Sequence, residues 1–235
     1  MKILAIDTSS NVATAAIAED NKLICEYTLN HKKTHSQKLM PMIEELFSAC
    51  EMTVHDIDAI AVTVGPGSFT GLRIGIATAK ALAHAANKPL ISVSTLEAMA
   101  YNIPFCNHII APIMDARRSQ VYTCIYQWDM SNLITLHKSQ PMAIEELCDT
   151  LKQFDSPVVF IGDGVPVHEE YIRKMLGDCA IFGGLQHNMQ RASSVAAYAM
   201  DKARRGETLN YNQLLPEYHR LSQAEREYNE KEGLA

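Results

Sequence analysis

Ile3-Leu4-Ala5-Ile6-Asp7 opens the chain as an apolar run closed by a carboxylate. Ile109-Ile110-Ala111-Pro112-Ile113-Met114-Asp115 repeats that run in the second half. A polar turn and another apolar stretch follow each, Ala13 to Ala18 and Val121 to Tyr126. The interval from Asp7 to Ile17 equals that from Asp115 to Ile125. Short apolar runs bounded by Ser, Asn and Asp read as strands, and each pair as a β-hairpin. Behind each hairpin comes a polar turn (Glu19 to Lys22; Trp128 to Asn132) and a Leu-Ile pair, which begins the third strand, Leu23 to Leu29, in the first half. The identities are few, so the repeat is one of pattern. It predicts a duplicated architecture divided near Pro104 to Asn107, with an N-terminal lobe over residues 1–106 and a C-terminal lobe over 107–235.

Outward from the first hairpin the period changes. Leu39, Met42, Ile43, Leu46 and Cys50 recur at helical steps from Ser36 onward, and Met40 and Phe47 widen that face. Pro41 requires this helix to start within about a turn before it or to kink there. Ile57 to Val64 reads as a strand, Thr70 to Ala86 as a helix rich in Ala and Gly, Pro89 to Val93 as a strand, and Thr95 to Tyr101 as a helical turn or two. In the second half the pattern gives helices over Ile144 to Phe154, Val167 to Leu176 and Ser193 to Arg205, and a strand over Val158 to Ile161. Ser222 to Glu232 reads as a charged tail or frayed helix. Strands and helices in this order predict an α/β fold, mixed sheets covered by helices and joined by right-handed crossovers.

The 235 residues carry 21 Lys+Arg against 27 Asp+Glu, a formal charge of −6. Proteins that grip nucleic acid unaided usually show a basic face, so this balance argues against a stand-alone tRNA or DNA binder. Six cysteines are scattered without a CxxC, as expected of reduced thiols. The apolar start is too short for a signal peptide, and no apolar stretch reaches the ~18 residues of a membrane span. A cytoplasmic protein is expected.

Gly65-Pro66-Gly67-Ser68-Phe69-Thr70-Gly71-Leu72-Arg73 is the densest motif. It is neither a Walker A loop nor GxGxxG. It reads as a strand-to-helix turn in which Ser68 or Thr70 caps the helix, and the free N–H groups of that start could hold an anion. Asp7-Thr8-Ser9, with Gly65 and Gly67, and the later turn Gly162-Asp163-Gly164 are the candidate nucleotide or anion loops. The alternative for Asp7 to Asn11 is a plain hairpin turn. Arg117 and Arg118 in the matching second loop could meet an anion or a partner carboxylate, or simply solvent. His31 and His35 have chelating spacing on a helix, but Lys32 and Lys33 between them would repel a metal ion. The small residues of the Thr70 to Ala86 helix allow close approach of another helix, within the chain or from a partner.

Met1 to Ser9, His35-Ser36 with Leu39 and Pro41, and Gly65 to Arg73 running on through Ala79-Lys80-Ala81-Leu82-Ala83 closely resemble the TsaB (YeaZ) family. Leu215-Pro216-Glu217-Tyr218-His219-Arg220 with Gln223-Ala224-Glu225 is similar to that family as well. The resemblance implies a duplicated ribonuclease-H-like pair of lobes of the actin-like superfamily. It also implies a subunit that pairs with TsaD and, with the ATPase TsaE, serves threonylcarbamoyl transfer to N6 of the adenosine 3′-adjacent to the anticodon in ANN-decoding tRNAs. The tRNA would be met only through the complex, and a homodimer is possible when the chain is alone. The helices Ser36 to Cys50 and Thr70 to Ala86 would supply the contact, through His35, Leu39, Met42, Ile43, Leu46, Leu72, Arg73, Ile76 and Lys80. TsaD itself carries an Asn-His-Leu-Glu-Gly-His motif with two metal-binding histidines. Here the equivalent stretch is Ser94-Thr95-Leu96-Glu97-Ala98-Met99. Threonine and thioether do not replace two imidazoles for a hard catalytic metal, so the expectation is a non-catalytic chain that needs no cofactor. The alternative is a nucleotide- or metal-dependent enzyme of the actin-like or glycoprotease superfamily.

Overall fold

The computed structural model describes residues 1–31 and 35–220. Lys32 and Lys33 and the Ser222 to Glu232 segment therefore lie outside the described residues, as do Gln223 to Glu225.

In the first half, β1 (Lys2–Asp7), β2 (Val12–Glu19) and β3 (Lys22–Asn30) form an antiparallel meander. Helix α1 (His35–Ala49) leads to β4 (Ala59–Gly65), and α2 (Phe69–Ala86) leads to β5 (Leu90–Ser94). The sheet order is β3-β2-β1-β4-β5, with β4 parallel to both β1 and β5. After the short α3 (Thr95–Ala100) the pattern recurs as β6 (Ile109–Asp115), β7 (Gln120–Asp129), β8 (Asn132–Ala143), α4 (Ile144–Leu151), β9 (Val158–Ile161), α5 (Val165–Leu176) and β10 (Ala180–Phe182). The second order, β10-β9-β6-β7-β8, is that of the first sheet strand for strand. The hairpin repeat is thus a repeat of whole sheets, and the fold is a two-lobed α/β arrangement. Sequence pattern did not mark β8 at its full twelve residues, nor β10.

Alternation along β1 sets the layers. Leu4 and Ile6 face α1 and α2, whose Leu39, Ile43, Leu46, Leu72 and Ile76 complete that core. Ile3 and Ala5 face the opposite way, toward α6 (Ala192–Arg204). In the second lobe Ile109, Ala111 and Ile113 meet Leu147 and Leu151 of α4 and Ile172 of α5. Ile110 and Met114 of the same strand meet Leu96 and Met99 of α3. The molecule is layered as α1/α2, first sheet, α3/α6, second sheet, α4/α5.

The lobe drawn over 107–235 takes in α6, yet α6 packs on the first sheet. Its face of Ala192, Ala196 and Ala199 fits the shallow surface made by Ala5, Ala16 and Ala61. Glu26 of β3 fixes the start of that helix. Its carboxylate pairs with Arg191 at 2.8 Å and accepts from the Ser193 N–H and hydroxyl at 2.8 and 2.7 Å. Pro41 sits on the exposed side of α1, and the helix begins more than a turn before it and runs on past it.

Candidate functional site

The parallel strands β1, β4, β6 and β9 bring their C-terminal ends to one end of the crevice between the lobes. Ligands of open α/β sheets sit at such ends. Asp7, Gly65, Asp115 and Gly162 all lie there.

Asp7 is 1 % exposed, and its Oδ1 accepts the Ser9 N–H at 2.7 Å. Its Oδ2 is buried without a hydrogen-bond partner, as are the hydroxyls of Ser9 and Thr63. Burial raises the Asp7 carboxyl above its ordinary range against the pull of Ser9 and Thr63. Across the crevice Asp163 is pushed up to about 6, first by burial and then by the carboxylates of Asp115 and Asp7, while the Asp115 N–H opposes. His168 stands 4.0 Å from Asp115, and burial lowers its imidazole.

The glycine loops pack closely against the chain's own backbone. A Cβ on Gly67 would stand 2.3 Å from the Ser9 carbonyl oxygen, and one on Gly71 would stand 2.0 Å from that of Thr8. Glycine is needed because the turn after β4 packs directly on the end of β1. Two of the donors around the helix start are engaged within the chain. The Ser68 N–H bonds the Ser9 carbonyl at 2.6 Å, and the Gly71 N–H bonds the Ser68 hydroxyl at 3.3 Å. Thr8 Oγ1 donates to the Gly71 carbonyl at 2.7 Å. The second lobe repeats the device. The Gly164 N–H bonds the Ile113 carbonyl at 3.0 Å, and a Cβ on Gly162 would strike the same carbonyl and Met99 Cε. In both lobes the glycine turn packs on the end of the neighbouring parallel strand.

Met99, where a metal-binding histidine would stand by the resemblance, is 1 % exposed and in contact with Gly162. Its sulfur lies 3.8 Å from Gln190 Nε2, and Gln190 Oε1 accepts from the Ser10 hydroxyl. Thr95 is fully buried. Among the described residues no group of three His, Cys, Asp or Glu side chains could hold a metal ion.

Sequence reasoning missed a strap over this end of the crevice. The Glu217 N–H bonds the Val64 carbonyl at 2.8 Å, and the Glu217 carbonyl fills the space where Gly65 lacks a side chain. Tyr218 stacks on Phe69 at 4.2 Å and accepts from Arg73 Nε at 2.9 Å. Arg220 reaches the second lobe, donating to the Ala116 carbonyl at 2.7 Å. The Leu215 to Arg220 segment was marked by resemblance, but nothing local says what it crosses.

The expected interface residues divide. Leu39, Met42, Ile43, Leu46, Leu72 and Ile76 are between 0 and 8 % exposed and belong to the chain's own core, so the expectation of a contact surface fails for these six. Their periodicity marked a buried face, and the first sheet covers it. His35 is half-buried, with Nε2 2.7 Å from the Ser10 carbonyl oxygen, and so pins the first hairpin turn. Arg73 is exposed and Lys80 half-exposed. The outward surface of the same helices consists of Met40, Pro41 and Glu44 on α1 and Ala77 and Ala81 on α2.

Residues 22–228 match the family described as TsaD, tRNA N6-adenosine threonylcarbamoyltransferase. The Bacillus subtilis (strain 168) protein named tRNA threonylcarbamoyladenosine biosynthesis protein TsaB is 36% identical over 232 residues, covering 99% of this chain and 100% of that one. An Escherichia coli (strain K12) protein of the same name is 34% identical over 168 residues, 70% of this chain and 72% of that one. A crystal structure from Pseudomonas aeruginosa, described as similar to peptidase YEAZ, superposes with a TM-score of 0.80 at 25% identity, covering 93% of this chain and 99% of that one. A second structure, YeaZ from the same organism, gives 0.77, also at 25% identity, with 92% and 99% covered. Matched over 99% of its length by a TsaB relative, the chain belongs to the TsaB family.

Proposed function

We propose that the chain acts in the synthesis of threonylcarbamoyladenosine in tRNA as a non-catalytic subunit that docks onto TsaD, with TsaE as the third component, in the cytoplasm. The full-length match to a protein named for that pathway carries the reading. The site chemistry supports it. Thr95 and Met99, which by the resemblance stand where TsaD carries two metal-binding histidines, are buried, and the glycine turns of both lobes pack on their own strands. No helix among the described residues is long and apolar enough to cross a membrane.

The docking face we infer is the outer surface of α1 and α2, made of Met40 and Glu44 on the first and Arg73, Ala77 and Ala81 on the second. Small exposed residues on α2 let a partner's helix approach closely, and Met40, 38 % exposed, offers an apolar anchor. A test uses Met40→Glu and Ala77→Arg, both on solvent-facing positions, in a mixture of TsaD, TsaE, ATP, tRNA and an activated threonylcarbamoyl donor. Loss of co-elution with TsaD and of tRNA modification, with unfolding temperature unchanged, is the expected result. Full binding and modification with both variants would overturn the docking face. Full modification in a mixture lacking the chain would overturn the role itself.

A further inference from the structure

A cavity of about 440 Å³ opens between the lobes, lined by the β2–β3 turn, the β7–β8 turn, the loop after α3 and one side of α6. The registers of β1 with β2 and of β6 with β7 place those turns at the end of the crevice away from Asp7 and Asp115. It is therefore separate from the site described above. Three aromatic rings form one wall: Trp128 meets Tyr101 at 4.9 Å and Phe105 at 5.9 Å between ring centroids. Phe105 is 67 % exposed although it borders this wall, and its φ of 60° is one that side chains rarely adopt. Leu23 on the opposite rim is 45 % exposed. A concavity of this volume with exposed aromatic and aliphatic edges is the form of a small-molecule site.

The charges around it narrow the class of ligand. Both carboxylates in the wall are engaged. Asp201 pairs with Arg204 at 2.9 Å and accepts the Tyr101 hydroxyl at 2.8 Å, and Asp20 pairs with the Met1 ammonium at 2.8 Å. Lys22 lines the cavity and makes no ion pair among the described residues. A cation is thus left over beside an aromatic slot whose acids are neutralised.

We propose that this cavity binds a small aryl-alkyl carboxylate, its ring against Trp128 and Phe105 and its carboxylate at the Lys22 ammonium. Trp128 is the chain's single tryptophan, so its fluorescence reports on the cavity directly. Titration of the full chain with phenylbutyrate should quench Trp128 saturably, with affinity about tenfold above that for the uncharged phenylbutyramide. Lys22→Glu should bring the carboxylate down to the level of the amide. Ala197→Phe, at an exposed wall position of α6, should abolish binding of both while leaving the unfolding temperature unchanged. Non-saturable quenching, equal affinity for acid and amide, tighter binding of a phenylbutyl trimethylammonium ion, or unaltered binding by either variant would each overturn the proposal. None of these readouts depends on the tRNA pathway.

Discussion

At Asp163 burial works against ionisation, and the sign of its effect on stability follows. The carboxyl is raised from 3.8 to about 6, so the folded chain holds a proton there that the unfolded chain has released between those two values. Stability contributed by the protonated form is complete below about pH 4 and is lost as pH rises through 6. Asp163→Asn keeps the acceptor for the Asp115 N–H and removes the ionisation. It should stabilise the protein at pH 7–8 by about 1–3 kcal/mol and have no effect below about pH 4. Urea denaturation at the two pH values decides this. A contrasting residue is Gly71, whose added methyl would lie 2.0 Å from the Thr8 carbonyl oxygen. Gly71→Ala must push the β1 end away from α2. A loss of about 2–4 kcal/mol is expected in the same denaturation measurement. The glycine-rich motif was fully legible as a turn before a helix. What it packs against was not, because the Asp7 to Ser9 loop is some sixty residues away and only tertiary structure brings it close.

Among the elements, α1 shows most clearly what periodicity can and cannot say. The spacing of Leu39, Ile43 and Leu46 located the helix and its apolar face, and the structure puts that face on the first sheet. Periodicity identifies a face that needs covering without naming the cover. Leu46, fully buried, should cost about 2–5 kcal/mol as Leu46→Ala, visible as a lowered urea midpoint. Met40→Glu on the same helix should leave that midpoint unchanged. The hairpin repeat was legible for a different reason: alternating and continuous apolar runs are local, and β1 and β6 meet equivalent neighbours in both sheets. Helix α6 was legible as a helix but not as a member of the first lobe. Its alanine face carries no address, and the Glu26 carboxylate that caps it belongs to a strand far away in sequence.

For the whole molecule, the crossing by residues 217–220 ties the two lobes at one end of their crevice. Val64 and Phe69 hold it on the first lobe, and Ala116 takes the Arg220 guanidinium on the second. Tyr218→Ala and Arg220→Ala should each speed amide hydrogen exchange in the Asp115 to Gln120 turn, and leave exchange in β2 and β9 unchanged. Uniform exchange across both variants would show that the strap does not restrain the lobes. Arg73 is bonded to Tyr218 and lies on the outer side of α2, so a protein docking there would touch the residue that holds the strap.

The position of α6 also sets a schedule for synthesis. All five strands of the first sheet have been made by residue 94, but Ile3, Ala5, Ala61 and Val93 lack the α6 face of Val195, Ala196 and Ala199 until residue 204 has left the ribosome. At roughly 5–20 residues per second that interval lasts about 5–20 s. During it the nascent chain displays an apolar surface that only the short α3 borders. Chaperones that scan emerging polypeptides have an opportunity there, and a message cut short before α6 leaves a product without the helix that covers its first sheet.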